Sequence, residues 1–178
     1  MRIIAGTRRG LHLKNPDGLD TRPTTDRVKE SLFNIIQFHL PVPSVLDLFA
    51  GSGALGLEAL SRGCEHCVFT EKSRKAAALT QENLCRAGFD GRAEVVVLDA
   101  LSYLEHCDRR FDLIFLDPPY NQGFLMPVLQ RIDQYGLLAP GGILTVETEK
   151  AGEVVPDSFF SCKKTAVYGK TVITILQG

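Results

Sequence analysis

A chain of 178 residues that is 44% hydrophobic and 23% charged has the material for one compact domain with a sizeable core. A net charge of −1 excludes a protein that attracts polyanions by its overall charge, and no run of roughly 18 or more apolar residues exists to cross a membrane as a helix. The N-terminus lacks the apolar stretch of a signal peptide, and five cysteines without a disulfide-like framework fit a reducing compartment, so a cytoplasmic protein is expected.

In chain order, residues 2–5 and 11–14 are predicted to form a short hairpin around 6–10. The first fourteen residues carry Arg2, Arg8, Arg9 and Lys14 and no acid, a local basic patch that suits phosphates or, more simply, a solvated hairpin edge. A soft boundary near 17–23 separates this extension, residues 1–20, from a main domain, residues 21–178. Val28, Leu32, Ile35 and Ile36 stand at helical spacing behind the cap candidates Thr24, Thr25 and Asp26. Residues 45–49 read as a strand, followed by a glycine loop and a helical stretch over 57–62. A second strand, 67–70, ends at Glu71. Ser73 caps a helix that runs to Ala87, with Gly88 as its stop. A third apolar run, 95–98, ends at Asp99, and a fourth, 113–116, ends at Asp117. Leu125, Val128, Leu129 and Ile132 form an apolar helical face. Pro140-Gly141-Gly142 is expected as a turn before a strand over 143–147, and 164–168 with 171–176 as a hairpin around Gly169. Alternation that closes in a hairpin predicts an α/β fold, a mostly parallel sheet with one reversed strand.

Two motifs carry the chemistry. Gly51, Gly53 and Gly56 match G-x-G-x-x-G between a strand and a helix, a loop that serves NAD, FAD and S-adenosylmethionine alike. Glu71 lies about 20 residues past the first glycine, where a carboxylate binds ribose hydroxyls. The second motif is Asp117-Pro118-Pro119-Tyr120 at a strand's carboxyl end, where open α/β sheets bind ligands. Its prolines remove two backbone donors and leave carbonyl oxygens free; Asp117 adds an acceptor and Tyr120 a flat face. Such a site suits an amino group on an aromatic base. Cys64-Glu65-His66-Cys67 is a single C-x-x-C without a second pair, so no metal site is expected.

Asp47-Leu48-Phe49-Ala50-Gly51-Ser52-Gly53, then Glu71, Asp99-Ala100 and Asp117-Pro118-Pro119-Tyr120 resemble the motif series of class I S-adenosylmethionine-dependent methyltransferases that modify exocyclic amines of bases. Thr21-Arg22-Pro23-Thr24-Thr25-Asp26-Arg27-Val28-Lys29-Glu30-Ser31-Leu32-Phe33-Asn34 is similar to the signature of the bacterial 16S ribosomal RNA (guanine-N2)-methyltransferase D family, as is the opening Met1-Arg2-Ile3-Ile4-Ala5-Gly6. The resemblance runs through nearly the whole chain. It implies a Rossmann-like seven-stranded sheet and S-adenosylmethionine as cofactor. It places Asp47, Phe49, Gly51, Gly53, Gly56, Glu71, Lys72, Asp99, Ala100 and Asp117 around that cofactor, with Asp47 orienting its methionyl group and Asp99 and Ala100 recognising adenine. It makes Asp117, Pro118, Pro119 and Tyr120 the catalytic set and guanine N2 of small-subunit ribosomal RNA the acceptor. One small domain leaves little room for a recognition module, so a monomer acting on RNA already folded in the 30S particle is expected. Arg2, Arg8, Arg9, Lys14, Arg22 and Arg27 are then the candidate phosphate contacts. Rival readings are an N6-adenine methyltransferase acting on DNA or RNA, a nicotinamide oxidoreductase, and a non-catalytic RNA-binding assembly factor.

Overall fold

The computed structural model describes residues 1–15, 23–119, 123–149 and 159–178, with the side chains of 23–25 left aside. Seven strands form one sheet: β1 (Ser44–Asp47), β2 (His66–Thr70), β3 (Ala93–Val96), β4 (Phe111–Leu116), β5 (Leu138–Glu149), β6 (Ser161–Tyr168) and β7 (Thr171–Gln177). Their order is β3-β2-β1-β4-β5-β7-β6. β1 to β5 run parallel to one another, and β7 is reversed, antiparallel to β5 on one side and to β6 on the other. The sheet is the α/β architecture expected, including its reversed strand.

Five helices cover it: α1 (Pro23–Ile35), α2 (Ala54–Ser61), α3 (Arg74–Ala87), α4 (Ala100–His106) and α5 (Leu125–Gln134). The inner stretches of the central strands, Val45-Leu46, Cys67-Val68-Phe69 and Leu113-Ile114-Phe115-Leu116, are apolar on both faces because both are covered. In β4, Leu113 and Phe115 join Leu32, Phe33, Leu57, Leu60 and Leu84 from α1, α2 and α3. Ile114 and Leu116 point the other way, into a second core with Leu104 of α4 and Leu125, Val128, Leu129 and Ile132 of α5. The apolar face expected around Leu125 is therefore core, and Cys64 and Cys67, both fully buried, belong to the first cluster.

Several boundaries differ from expectation. The N-terminal hairpin is reduced to one antiparallel bridge, Arg2 with His12. The reason lies in where its N–H groups go. The Ile3, Gly10 and Leu13 N–H groups do donate across the segment, to the Leu11, Ile3 and Met1 carbonyls at 2.9 Å each, but those of Ile4 and Ala5 donate to the Glu58 carboxylate at 2.7 and 3.0 Å and that of Thr7 to the Ser61 carbonyl at 2.8 Å, so pairing does not continue past Ile3. α1 begins at Pro23, a residue whose missing N–H costs nothing in a first turn, so Asp26 lies inside that turn instead of preceding the helix. β1 ends at Asp47 and β3 at Val96, which leaves Leu48, Phe49, Val97 and Leu98 beyond the strands. Pro140-Gly141-Gly142 lies within β5: Leu138 pairs with Phe111 and Ile143 with Leu113, and the residues between bulge outward. The seven-residue α4 has no counterpart in the predicted elements, because Asp99 reads as a ligand and not as the cap it is. Ser73 and Gly88 bracket α3 as predicted: the Ser73 hydroxyl accepts from the Ala76 N–H at 3.3 Å, and Gly88 closes the helix at φ 68°.

Candidate active site

The strand order reverses between β1 and β4, since β2 and β3 extend the sheet one way and β5 the other. Open α/β sheets bind ligands in the crevice at such a point. Four of the singled-out carboxylates stand on this rim: Asp47 ends β1, Glu71 follows β2, Asp99 lies three residues past β3, and Asp117 follows β4.

The loop between β1 and α2 is pinned at its base. The Leu48 N–H donates to the Phe115 carbonyl at 3.2 Å, the Ala50 N–H to the Thr70 carbonyl at 3.0 Å, and the Thr70 hydroxyl to the Leu48 carbonyl. Gly53 turns the chain at φ 79°, a conformation that suits glycine, and the Gly53 N–H closes the turn on the Ala50 carbonyl at 2.7 Å. Gly56 answers to a different demand. A Cβ there would lie 2.3 Å from the Phe69 ring and 2.7 Å from the Cys67 sulfur, so only glycine lets α2 lie this close to β2.

Two carboxylates cap this loop. Asp47 is 2% exposed, and its Oδ2 accepts from the Gly56 N–H at 2.9 Å. Burial pushes its carboxyl up to about 7; the Gly56 N–H opposes that rise and the nearby Glu71 charge adds to it. Glu71 accepts from the Gly51 N–H at 3.0 Å with one oxygen and from the Ser73 N–H at 2.7 Å with the other, tying the loop to the start of α3. Asp99 accepts from the Ser102 N–H at 3.0 Å as the cap of α4. Hydrogen bonds from Ser102 hold its carboxyl below the ordinary range, and exposed Lys72 favours its charge further.

Asp117 and Pro119 are exposed, while Pro118 between them is buried. Desolvation, then the charges of Glu147 and Asp47, raise the Asp117 carboxyl above the usual carboxylate range. Glu147 is placed by register: Leu116 pairs with Val146, so the next residue on each strand is Asp117 and Glu147. The Phe49 ring meets Phe124, just before α5, at a centroid distance of 6.0 Å, which joins the end of β1 to the approach of α5. Tyr120 and Arg22 lie outside the described residues.

Among the other candidates, Ala100 is buried at the start of α4. Three of the basic side chains are engaged within the protein. Arg2 lies 3.9 Å from Asp26, Arg8 donates to the Ala87 carbonyl beside the Phe89 ring, and Lys14 pairs with Glu82. Arg9 and Arg27 are exposed. Sequence reasoning missed Glu147, Thr80 and Asn83. Glu147 leaves no motif, only a place in the register. Thr80 and Asn83 carry the three-residue spacing of one helix face, which points to packing and not to chemistry. Among the described residues, no group of three or more His, Cys, Asp or Glu could hold a metal ion.

Comparison with known proteins agrees with this geometry. The family model described as "Conserved hypothetical protein 95" matches residues 1–177. "Putative rRNA methyltransferase YlbH" of Bacillus subtilis is 42% identical over 99% of this chain and 98% of its own length. "Ribosomal RNA small subunit methyltransferase D" of Escherichia coli K12 is 40% identical over 84% of this chain and 75% of its own. The solved structure of "Putative methyltransferase yhhF" from Escherichia coli superposes with a TM-score of 0.88 at 36% identity, covering 99% of this chain and 97% of that one. The chain therefore belongs to the conserved hypothetical protein 95 family, together with the small-subunit ribosomal RNA methyltransferase D proteins that it resembles in sequence.

Proposed function

We propose that this protein transfers a methyl group from S-adenosylmethionine to the exocyclic N2 amine of a guanine in 16S ribosomal RNA, within the assembled small subunit and in the cytoplasm. The observation that carries the reading is the way the glycine loop is capped. Its Gly51 and Gly56 N–H groups donate to Glu71 and Asp47. A pyrophosphate needs such donors open and no carboxylate beside them. A cofactor with ribose hydroxyls and a cationic sulfonium suits the same carboxylates. This chemistry favours S-adenosylmethionine over a nicotinamide dinucleotide.

When bound, S-adenosylmethionine supplies an electrophilic methyl group. The protein's part is to hold and orient. Glu71 presents a carboxylate for the ribose hydroxyls, Asp99 and Ala100 take the adenine, and Asp47 and Phe49 line the methionyl side, with Lys72 at the rim. Asp117 and the Pro118 carbonyl accept the two N–H hydrogens of the acceptor amine, so that its lone pair leaves conjugation with the ring. Pro119 stiffens the loop, and Tyr120 stacks on the base for roughly 1–3 kcal/mol. Orientation of the reacting groups supplies on the order of 7–11 kcal/mol in favourable cases. No covalent intermediate is required. The acceptor base must stand out of its stack to reach the crevice. Residues 1–20 act as a basic extension toward the RNA backbone, with Arg9 leading its phosphate contacts, Arg2, Arg8 and Lys14 supporting it, and Arg22 and Arg27 of the main domain beside it. The protein works as a monomer on the particle.

Labelled S-adenosylmethionine is incubated with small subunits from cells lacking this protein, with protein-free ribosomal RNA and DNA in parallel, and the product nucleoside is identified by mass spectrometry. N2-methylguanosine, formed mainly on the particle, is the expected product. N6-methyladenine would overturn the acceptor while keeping the Asp117 chemistry.

A further inference from the structure

The side chains of α3 that face the glycine loop have no part in the chemistry above, yet one of them is fully committed. Asn83 has no exposed surface. Its Oδ1 accepts from the Lys14 N–H at 2.8 Å, and its Nδ2 donates to the Lys14 carbonyl at 3.0 Å and to the Ser52 carbonyl at 3.0 Å. Both amide hydrogens are thus used, each on a different stretch of backbone. One turn earlier, the Thr80 hydroxyl donates to the Gly51 carbonyl at 2.8 Å. α3 therefore grips two consecutive carbonyls of the glycine loop from outside. The Thr80 grip ends there. The Asn83 grip continues into the N-terminal segment.

That segment lies on the same structural frame. Besides the Glu58 bonds to Ile4 and Ala5, the Ser61 hydroxyl donates to the Ala5 carbonyl at 2.6 Å and accepts from the Arg8 N–H at 3.0 Å. A Cβ on Gly6 would fall 1.8 Å from the Ser61 carbonyl oxygen, so the backbone is pressed onto α2. The segment that carries Arg9 at its exposed turn is seated at one end on α2 and at the other on Asn83.

We propose that Asn83 is a positioning residue that couples the seating of the N-terminal segment to the shape of the cofactor loop, so that RNA held by that segment and cofactor held by the loop strengthen each other's binding. This rests on the RNA-methylation reading above. RNA that draws on Arg9 favours the docked segment, the docked segment orients Asn83, and Asn83 holds the Ser52 carbonyl in the turn that leaves Gly51 and Gly53 in place. Linkage requires the same factor in the other direction.

Equilibrium dialysis of labelled S-adenosylhomocysteine, with and without small ribosomal subunits from cells lacking this protein, reads the coupling as a ratio of affinities. In the unaltered protein the subunits should tighten S-adenosylhomocysteine by roughly 5-fold or more. Thr80→Val loosens the same loop without touching the segment, so it should weaken S-adenosylhomocysteine and keep that ratio. Asn83→Ala should weaken S-adenosylhomocysteine and bring the ratio to about 1. If Asn83→Ala does not fold, Asn83→Asp keeps the size and the acceptor for Lys14 but loses both donated bonds, and should likewise abolish the ratio. Two bound ligands without coupling in the unaltered protein, or an unchanged ratio in the Asn83 variants, would overturn the proposal. Subunits that do not bind at all, while S-adenosylhomocysteine does, would bring down the RNA reading and the proposal together.

Discussion

Asp47 keeps its proton to about pH 7 because its carboxyl is buried and has one N–H, that of Gly56, to favour the charge. The sign of its effect on stability follows from linkage. Below about pH 4 both the folded and the unfolded chain hold this proton, and its full stabilisation is present. Between about pH 4 and 7 only the folded protein holds it, so stability falls as the pH rises, by up to about 4 kcal/mol. Chemical denaturation of the ligand-free protein should show this decline, and Asp47→Asn should flatten it; equal slopes in the two proteins would exclude Asp47 as its source. Asp117, exposed, stands at the same crevice. Asp117→Ala should lower methyl transfer by roughly 100-fold or more while S-adenosylhomocysteine affinity stays within a few-fold, the pattern of an interaction made only in the transition state. A matching loss of cofactor affinity would place Asp117 in cofactor binding instead.

At the scale of the element, α2 is the piece on which the site turns. It starts at the glycine loop, lies on β2 through Gly56, and ends in a buried ionic knot. Glu58, fully buried, meets Lys29 of α1 at 3.1 Å and Arg62 at 2.8 Å, and accepts the two N–H groups of the N-terminal segment. Burial lowers the Lys29 pKa, and Glu58 opposes that shift. Removing the carboxylate leaves the Ile4 and Ala5 N–H groups without that acceptor, leaves buried Lys29 without its counter-charge and with the Arg2 carbonyl as acceptor, and takes the partner from Arg62. Glu58→Ala should therefore cost about 3–5 kcal/mol of stability, whereas a surface pair such as Arg109 with Glu94 should cost about 1 kcal/mol or less. Gly56→Ala should cost about 1–3 kcal/mol, because Phe69 is itself fully buried and has nowhere to move. Urea denaturation of each variant reads these differences. A Gly56→Ala protein as stable as the unaltered one would show that α2 can lift from β2 without penalty.

For the molecule as a whole, charge distribution matters more than the total of −1. Arg2 and Lys14 already pair with Asp26 and Glu82 at the surface and Arg8 donates to the Ala87 carbonyl, whereas Arg9 and Arg27 are exposed. If RNA is bound through phosphates, binding to small subunits weakens with salt, and removing one cation that touches a phosphate should reduce the slope of log affinity against log salt by about 1. Arg9→Ala and Arg27→Ala should each do so. Arg8→Ala, whose guanidinium is held on the Ala87 carbonyl, should change thermal stability more than that slope. Identical slopes in all three variants would exclude Arg9 and Arg27 as phosphate contacts.

The alternation of strands and helices from β1 onward, the short α4 apart, is legible in the chain alone, as are the glycine loop and four carboxylates at or just past the ends of successive strands. Those signals are local: apolar runs, capping residues, and glycines at turns are written in neighbouring positions. The helix over 74–87 was legible for this reason, from Ser73 to Gly88. The place of Asp117 across from Glu147 arises only from packing, because a parallel register joins positions 30 residues apart. Packing also limits the pairing within residues 1–15 to the bridge of Arg2 with His12, because the Ile4, Ala5, Arg8 and Lys14 N–H groups are drawn to Glu58, Ser61 and Asn83 on distant helices. Such bonds depend on where helices come to rest against the sheet, and no spacing along the chain encodes that distance.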